Sequence, residues 1–215
     1  MGVSVPNGAT VSIANGYSAS VNVTAISNAK PAVATAAGHT FTEGQFVEIT
    51  SGWAALSNKI VRVGAVTANT FELEDYDTTL LTKYPAGNGG GSARSISGWT
   101  PISQIINTTS SGGDQQFLNY QFLESSSESR IPTIKNAAGL ALNIADDTTQ
   151  AGYALCDTAD SDRLPRAIKI DLPSGAHILY DTYVSLNKTP TLTINQLMAL
   201  QVTLSFLNEP VRYAS

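Results

Sequence analysis

Apolar and polar residues alternate with a period of two along most of this chain, the mark of strands that bury one face. The run Thr191–Phe206 carries Leu192, Ile194, Met198, Leu200, Val202, Leu204 and Phe206 at even positions. Its odd positions hold Thr191, Thr193, Asn195, Gln201, Thr203 and Ser205. The pattern predicts one strand far longer than the usual five or six residues or so. Upstream, Arg166–Ser185 predicts a long hairpin: Ile168, Ile170 and Leu172 alternate on one arm, Ile178, Tyr180, Thr182 and Val184 on the other, and Pro173-Ser174-Gly175 turns the chain. Two shorter runs predict strands, one with Leu118, Tyr120 and Phe122 on one side, one with Leu140, Leu142 and Ile144 inward. Only Gln150–Ser161 has helical spacing, with Tyr153, Leu155, Cys156 and Ala159 on one face.

The first half reads differently. Val11 and Ile13 mark one short strand, Val21 and Val23 another, and Asn15-Gly16 between them is a tight-turn pair. From about Ala25 to Ser95 short alternating runs are joined by tight turns at Glu43-Gly44 and Thr67–Asn69, which predicts a small antiparallel barrel. The stretch Ala86–Ser92, AGNGGGS, is a flexible linker by composition. The fold class expected is mostly β. A β-sandwich with one short flanking helix comes from residues 1–25 and 97–215, and an inserted small barrel from residues 26–96.

A long strand without charge or internal proline exposes backbone groups that a small sandwich cannot pair, and such an edge invites association. Joining copies edge to edge in a ring removes it. The mild Thr/Gln/Ser face then suits either a neighbouring subunit or a water-filled bore. Composition agrees: 42% of residues are hydrophobic and only 13% charged, against roughly 25% charged in ordinary domains. Subunit contacts or a coat of Ser, Thr, Asn and Gln must cover the surface. The net charge is −5 and no Lys/Arg cluster occurs, which excludes tight gripping of nucleic-acid phosphates. The single cysteine excludes an intrachain disulfide. The opening residues lack the basic and apolar regions of a secretory signal, and no apolar run reaches about 20 residues. A soluble protein of a reducing compartment, without membrane insertion, is expected.

No catalytic constellation emerges. His39 and His177 lack paired ligand spacing for a metal. Cys156 reads as a buried thiol on the helix's apolar face, and Asp146-Asp147 as a solvated turn. The glycine-rich stretch has no following Lys-Ser or Lys-Thr and no helix, so it is not a phosphate loop. Trp53 is the candidate exposed aromatic of the barrel, a sugar platform if its ring is free; packing over the barrel mouth is the better alternative.

The segments NYQFLE, IPTIKNAAGLALNIADD and GYALC, followed by AIKIDLPSGAHILYDTYVSLNKTPTLTINQLMALQVTLSFLNEPVRYA, resemble the tail tube (major tail) proteins of long, non-contractile-tailed bacteriophages. The resemblance covers Trp99–Ala214 well and Thr10–Ala25 loosely. The segment between is similar to a small SH3-like β-barrel module of phage structural proteins. The resemblance implies hexameric rings stacked into a hollow tube, a bore closed by strands of all six subunits, passage of DNA during ejection without tight binding, and no catalytic residues or cofactor. It implies a virion protein assembled in the host cytoplasm, meeting copies of itself and the tape measure, terminator and distal tail proteins. Lys169, Asp171, Asp181, Thr191, Thr193, Gln201, Thr203 and Ser205 become candidates for the bore or a subunit interface. Pro210, Arg212 and Tyr213 become a ring-contact arm, and the loops SSGGDQQF and LESSSESRIP segments that order on stacking. Rival readings are a baseplate or terminator ring, a carbohydrate-binding adhesin acting through Trp53, and a glycan hydrolase.

Overall fold

The computed structural model describes residues 5–214. In chain order the strands are β1 (Thr10–Tyr17), β2 (Val21–Val23), β3 (Ala25–Ile26), β4 (Ala32–Thr35), β5 (Phe46–Ser51), β6 (Lys59–Val66), β7 (Thr70–Leu73) and β8 (Gly91–Ile102). They continue with β9 (Ile105–Ser111), β10 (Gln115–Tyr120), β11 (Ser129–Lys135) and β12 (Gly139–Ala145). After α1 (Ala151–Asp162) come β13 (Arg166–Asp171), β14 (His177–Thr191), β15 (Ala199–Phe206) and β16 (Val211–Tyr213).

The second half of β8 opens an antiparallel sheet in the order β8-β1-β13-β14-β15-β12-β9. The sheet curls, so that strands far apart in this order share one core. Val11 and Ile13 of β1 and Ile168 of β13 meet Leu142 and Ile144 of β12 and Leu200, Val202 and Leu204 of β15. The helix adds Cys156 and Ala159. Gly152 starts the helix hard against β8, where an added Cβ would lie 2.6 Å from the Pro101 carbonyl oxygen. Burial pushes the Cys156 thiol up to about 12, so it stays a neutral packing group.

The first half of β8 belongs to a second core. Here the order is β3-β4-β7-β6-β5-β8, and β2 pairs the far side of β8. Because β2 and β3 are separated only by Thr24, whose N–H donates to the Thr35 carbonyl at 2.9 Å, one continuous segment closes the barrel. Ile26, Val47, Ile49, Val61, Val63, Phe71 and Leu73 fill it.

Four local expectations are corrected. Asn15-Gly16 does not turn the chain; β1 runs through it with a bulge against β8. The glycine-rich stretch is no flexible linker. An added Cβ at Gly91 would lie 2.0 Å from the Thr50 carbonyl oxygen, and one at Gly89 2.8 Å from the Trp53 ring. These glycines permit close approach, which composition alone cannot distinguish from flexibility. Thr191–Phe206 is not one strand: β14 ends at Thr191, Asn195 takes a left-handed φ of 64°, the Gln196 N–H donates to Thr193, and β15 starts at Ala199. Leu192 and Ile194 kept the period of two across a reversal, because a turn with exposed apolar residues mimics a strand. The long strand is β14, with 15 residues. Finally, the tail is not a free arm. Tyr213 is buried on β16, and its hydroxyl accepts a hydrogen bond from the Arg62 N–H at 2.9 Å while the Arg62 guanidinium stacks on its ring. Arg212 and Pro210 remain exposed.

The two cores meet across a buried polar seam. Glu48 of β5 accepts hydrogen bonds from two nitrogens of Arg94 of β8, Nη2 to Oε1 at 3.0 Å and to Oε2 at 2.8 Å, and Nε to Oε2 at 3.2 Å. The Arg94 guanidinium lies 4.0 Å from the centre of the Tyr17 ring, and the Tyr17 hydroxyl accepts from the Ala167 N–H at 2.9 Å. Asp181 of β14 completes the group. It is 3% exposed and its Oδ1 has no hydrogen-bond partner. Burial, reinforced by Glu48 and opposed by Arg94 and the Thr182 N–H, raises its carboxyl from 3.8 to about 7. A raised carboxyl favours the protonated folded state, so stability falls as pH rises from about 4 to about 7. Asp181→Asn should remove that loss and raise stability at pH 8 by on the order of 4 kcal/mol, with roughly a third of that gain at pH 5. Thermal melts of both proteins across this range check it; parallel pH profiles contradict it.

Candidate assembly surface

The side of β9, β12, β15 and β14 turned away from the core is a three-row ladder set by strand register. Asn107, Asn143, Gln201 and Asn187 form the first row, Thr109, Ala141, Thr203 and Ser185 the second, and Ser111, Gly139, Ser205 and Tyr183 the third. None of these positions carries charge. In the first row Asn143 Nδ2 donates to Asn107 Oδ1 at 2.6 Å. Most of the face is exposed, while the alternate residues Leu142, Val184, Leu186, Val202 and Leu204 are buried on the other side.

Neither flank of this four-stranded segment is fully strand-paired among the described residues. β9 ends the sheet, so its outer edge has no strand partner among the described residues. On the other flank β13 pairs β14 only up to Thr182. Beyond that point the Leu186 N–H is taken by Asp160 Oδ1 of α1 at 3.2 Å, and no described strand follows Tyr183–Thr191. Backbone donors and acceptors on such edges need partners.

The residues singled out in the sequence disperse. Gln201, Thr203 and Ser205 fall together on the uncharged ladder. Thr191 and Thr193 lie at the exposed turn between β14 and β15. Lys169 and Asp171 pair at 2.9 Å, Asp171 also meets His177 Nδ1 at 2.5 Å, and the Lys169 ammonium lies 5.5 Å from the centre of the Trp99 ring. These groups satisfy one another. Asp181 is buried in the seam. Trp53 is a correction: it is 2% exposed, packs on Tyr84, and donates from Nε1 to the Pro85 carbonyl at 2.8 Å. No ring face is left for a sugar. Asp147 is tied into the turn before α1 by Thr149, Gln150 and Gln104, and those bonds hold its carboxyl down to about 2. Among the described residues, no three His, Cys, Asp or Glu side chains converge as metal ligands do.

Asn107, Thr109, Asn143, Ser185 and Asn187 were not read from the sequence. Ile105–Ser111 has Thr or Ser on both faces and so no period. Its partnership with β12 shows only in the fold. The alternation in β12 and β14 did carry a signal, since each buried residue named there implies a polar neighbour on the opposite face.

The family model described as phage tail tube protein matches residues 51–215. No curated protein sequence matches. Among solved structures, the chain is similar to a protein of the native gene transfer agent virion, at 10% identity and a TM-score of 0.42, covering 54% of this chain and 89% of that one. It is also similar to a sheath/tube terminator of an extracellular contractile injection system, at 13% identity and 0.37, covering 53% and 96%. The tube-terminating cap of the anti-feeding prophage gives 15% identity and 0.35, covering 50% and 79%. With its family matched from within the barrel to the last residue, the chain belongs to the phage tail tube protein family.

Proposed function

We propose that this chain is the repeating subunit of the tail tube and the wall of the channel through which DNA leaves the virion. Hexameric rings, as the resemblance implies, form when the outer edge of β9 in one copy pairs with Tyr183–Thr191 of β14 in the next. The uncharged ladder then lines the bore. The observation that carries this reading is the coincidence of a charge-free face and two edges without a strand partner among the described residues on the same four strands.

The chemistry suits transit. Phosphates are held by clustered Lys and Arg and the counterions they release; the ladder offers only amides, hydroxyls and one phenol. DNA can exchange hydrogen bonds with it through water and gain no lasting grip. The helix lies on the opposite side of the sheet, outside the channel, and the barrel beyond β8 decorates the exterior. The tube's neighbours are copies of itself, with tape measure protein in the bore and terminator and distal tail proteins at the ends. The terminator reading is weaker, because a cap needs one bare end and both ends of this sheet expose apolar side chains. The subunit works in the virion tail, after assembly in the host cytoplasm.

Thr203→Cys tests which face lines the bore, since Cys156 is buried and contributes no background. In tubes identified by negative-stain electron microscopy, a small maleimide should label position 203 while a bulky polymer-linked maleimide should not. Unassembled subunits should react with both. Equal labelling of tubes by the bulky reagent contradicts a bore position.

A further inference from the structure

The two flanks of the four-stranded segment are not equivalent. β9 ends the sheet with no strand beyond it among the described residues. Past Thr182, by contrast, β14 is met by the end of α1. The Leu186 N–H donates to Asp160 Oδ1 at 3.2 Å, and farther along the strand the Lys188 ammonium lies 2.5 Å from Asp157 Oδ1. Asp157 and Asp160 stand at i and i+3 on the helix, so both carboxylates share one face and reach the same stretch of strand.

Neither carboxylate serves the helix. Asp157, Asp160 and Asp162 fall in the last two turns of α1, where the helix dipole disfavours negative charge, and aspartate is a poor helix former. No basic residue in the last turn offsets them. Asp162 pairs with Arg166 just beyond the helix; the other two turn to β14. Cys156 and Ala159 seat the helix in the core independently of them. A bare strand edge invites premature pairing, and covering it with a helix is one way to prevent that. We infer that α1 is a lock on the assembly edge: in a free subunit Asp160 occupies the Leu186 N–H, and it must turn away before β9 of a neighbour can pair there. The lock rests on the edge pairing proposed above and adds its control. A free copy then carries one open edge, β9, and one guarded edge, β14, and each new contact must break a hydrogen bond to a charged acceptor. The exposed Lys188–Asp157 pair contributes little, so Asp160 carries the lock. The helix itself stays seated, since only side chains move.

Asp160→Ala removes the acceptor and keeps the fold, because alanine suits a last helical turn better than aspartate; a thermal melt checks this. By light scattering the variant should assemble at a critical concentration roughly tenfold below that of the unmodified protein, because the bond is lost only from the free subunit. Asp160→Asn, which keeps a neutral acceptor, should fall between the two. Lys188→Ala should shift the value by about threefold at most. Hydrogen exchange at the Leu186 amide gives a readout independent of assembly. It should be slow in free unmodified subunits, about tenfold faster in free Asp160→Ala subunits, and slow again in tubes of either protein. Equal critical concentrations, or equal Leu186 exchange in the two free subunits, overturns the lock and leaves the edge pairing standing. Tubes in which Leu186 exchanges freely, or no tubes from either protein, overturn the edge pairing and the lock with it.

Discussion

An open β-sheet in water must find partners for the backbone groups on its edges, and this requirement organises the molecule. The barrel meets it internally: the segment Val21–Ile26 switches from β8 to β4 and closes the circle. The C-terminal strand β16 covers the start of β14. Where β14 continues past Thr182 and where β9 ends the sheet, the chain supplies no strand. In the proposed tube, neighbouring copies meet these edges. The absence of charge on the adjoining face removes the repulsion that would otherwise keep copies apart.

Charge is placed elsewhere. Glu48, Arg94 and Asp181 sit in the seam between the two cores, and Lys169, Asp171 and His177 form a cluster beside Trp99. Arg62 forks onto Glu74 while stacking on Tyr213. Each of these groups ties the barrel or the tail to the sandwich. They fix the relation between the parts and leave the ladder neutral.

Much of this was legible in the chain, and the losses have physical causes. The hairpin β13–β14, the helix, the strand β12 and the barrel's alternating strands follow from period and turn chemistry, because each buries one face. Tyr213 and Trp53 were misplaced because an aromatic near a tail or a loop reads the same whether it anchors a neighbour or its own core; burial decides, and burial is a tertiary property. Gly89, Gly90 and Gly91 misled for a similar reason, since flexibility and close packing ask for the same residue. The turn at Asn195 was hidden by apolar residues that face solvent in a single copy. Such residues violate the rule that alternation means burial.

A cryo-electron-microscopy reconstruction of assembled tubes tests the central claim most directly. The account predicts β9 of one copy hydrogen-bonded along Tyr183–Thr191 of the next, with Asn107, Asn143, Gln201 and Asn187 facing the lumen as one continuous row. A tube in which β9 faces solvent, or in which α1 lines the lumen, contradicts it.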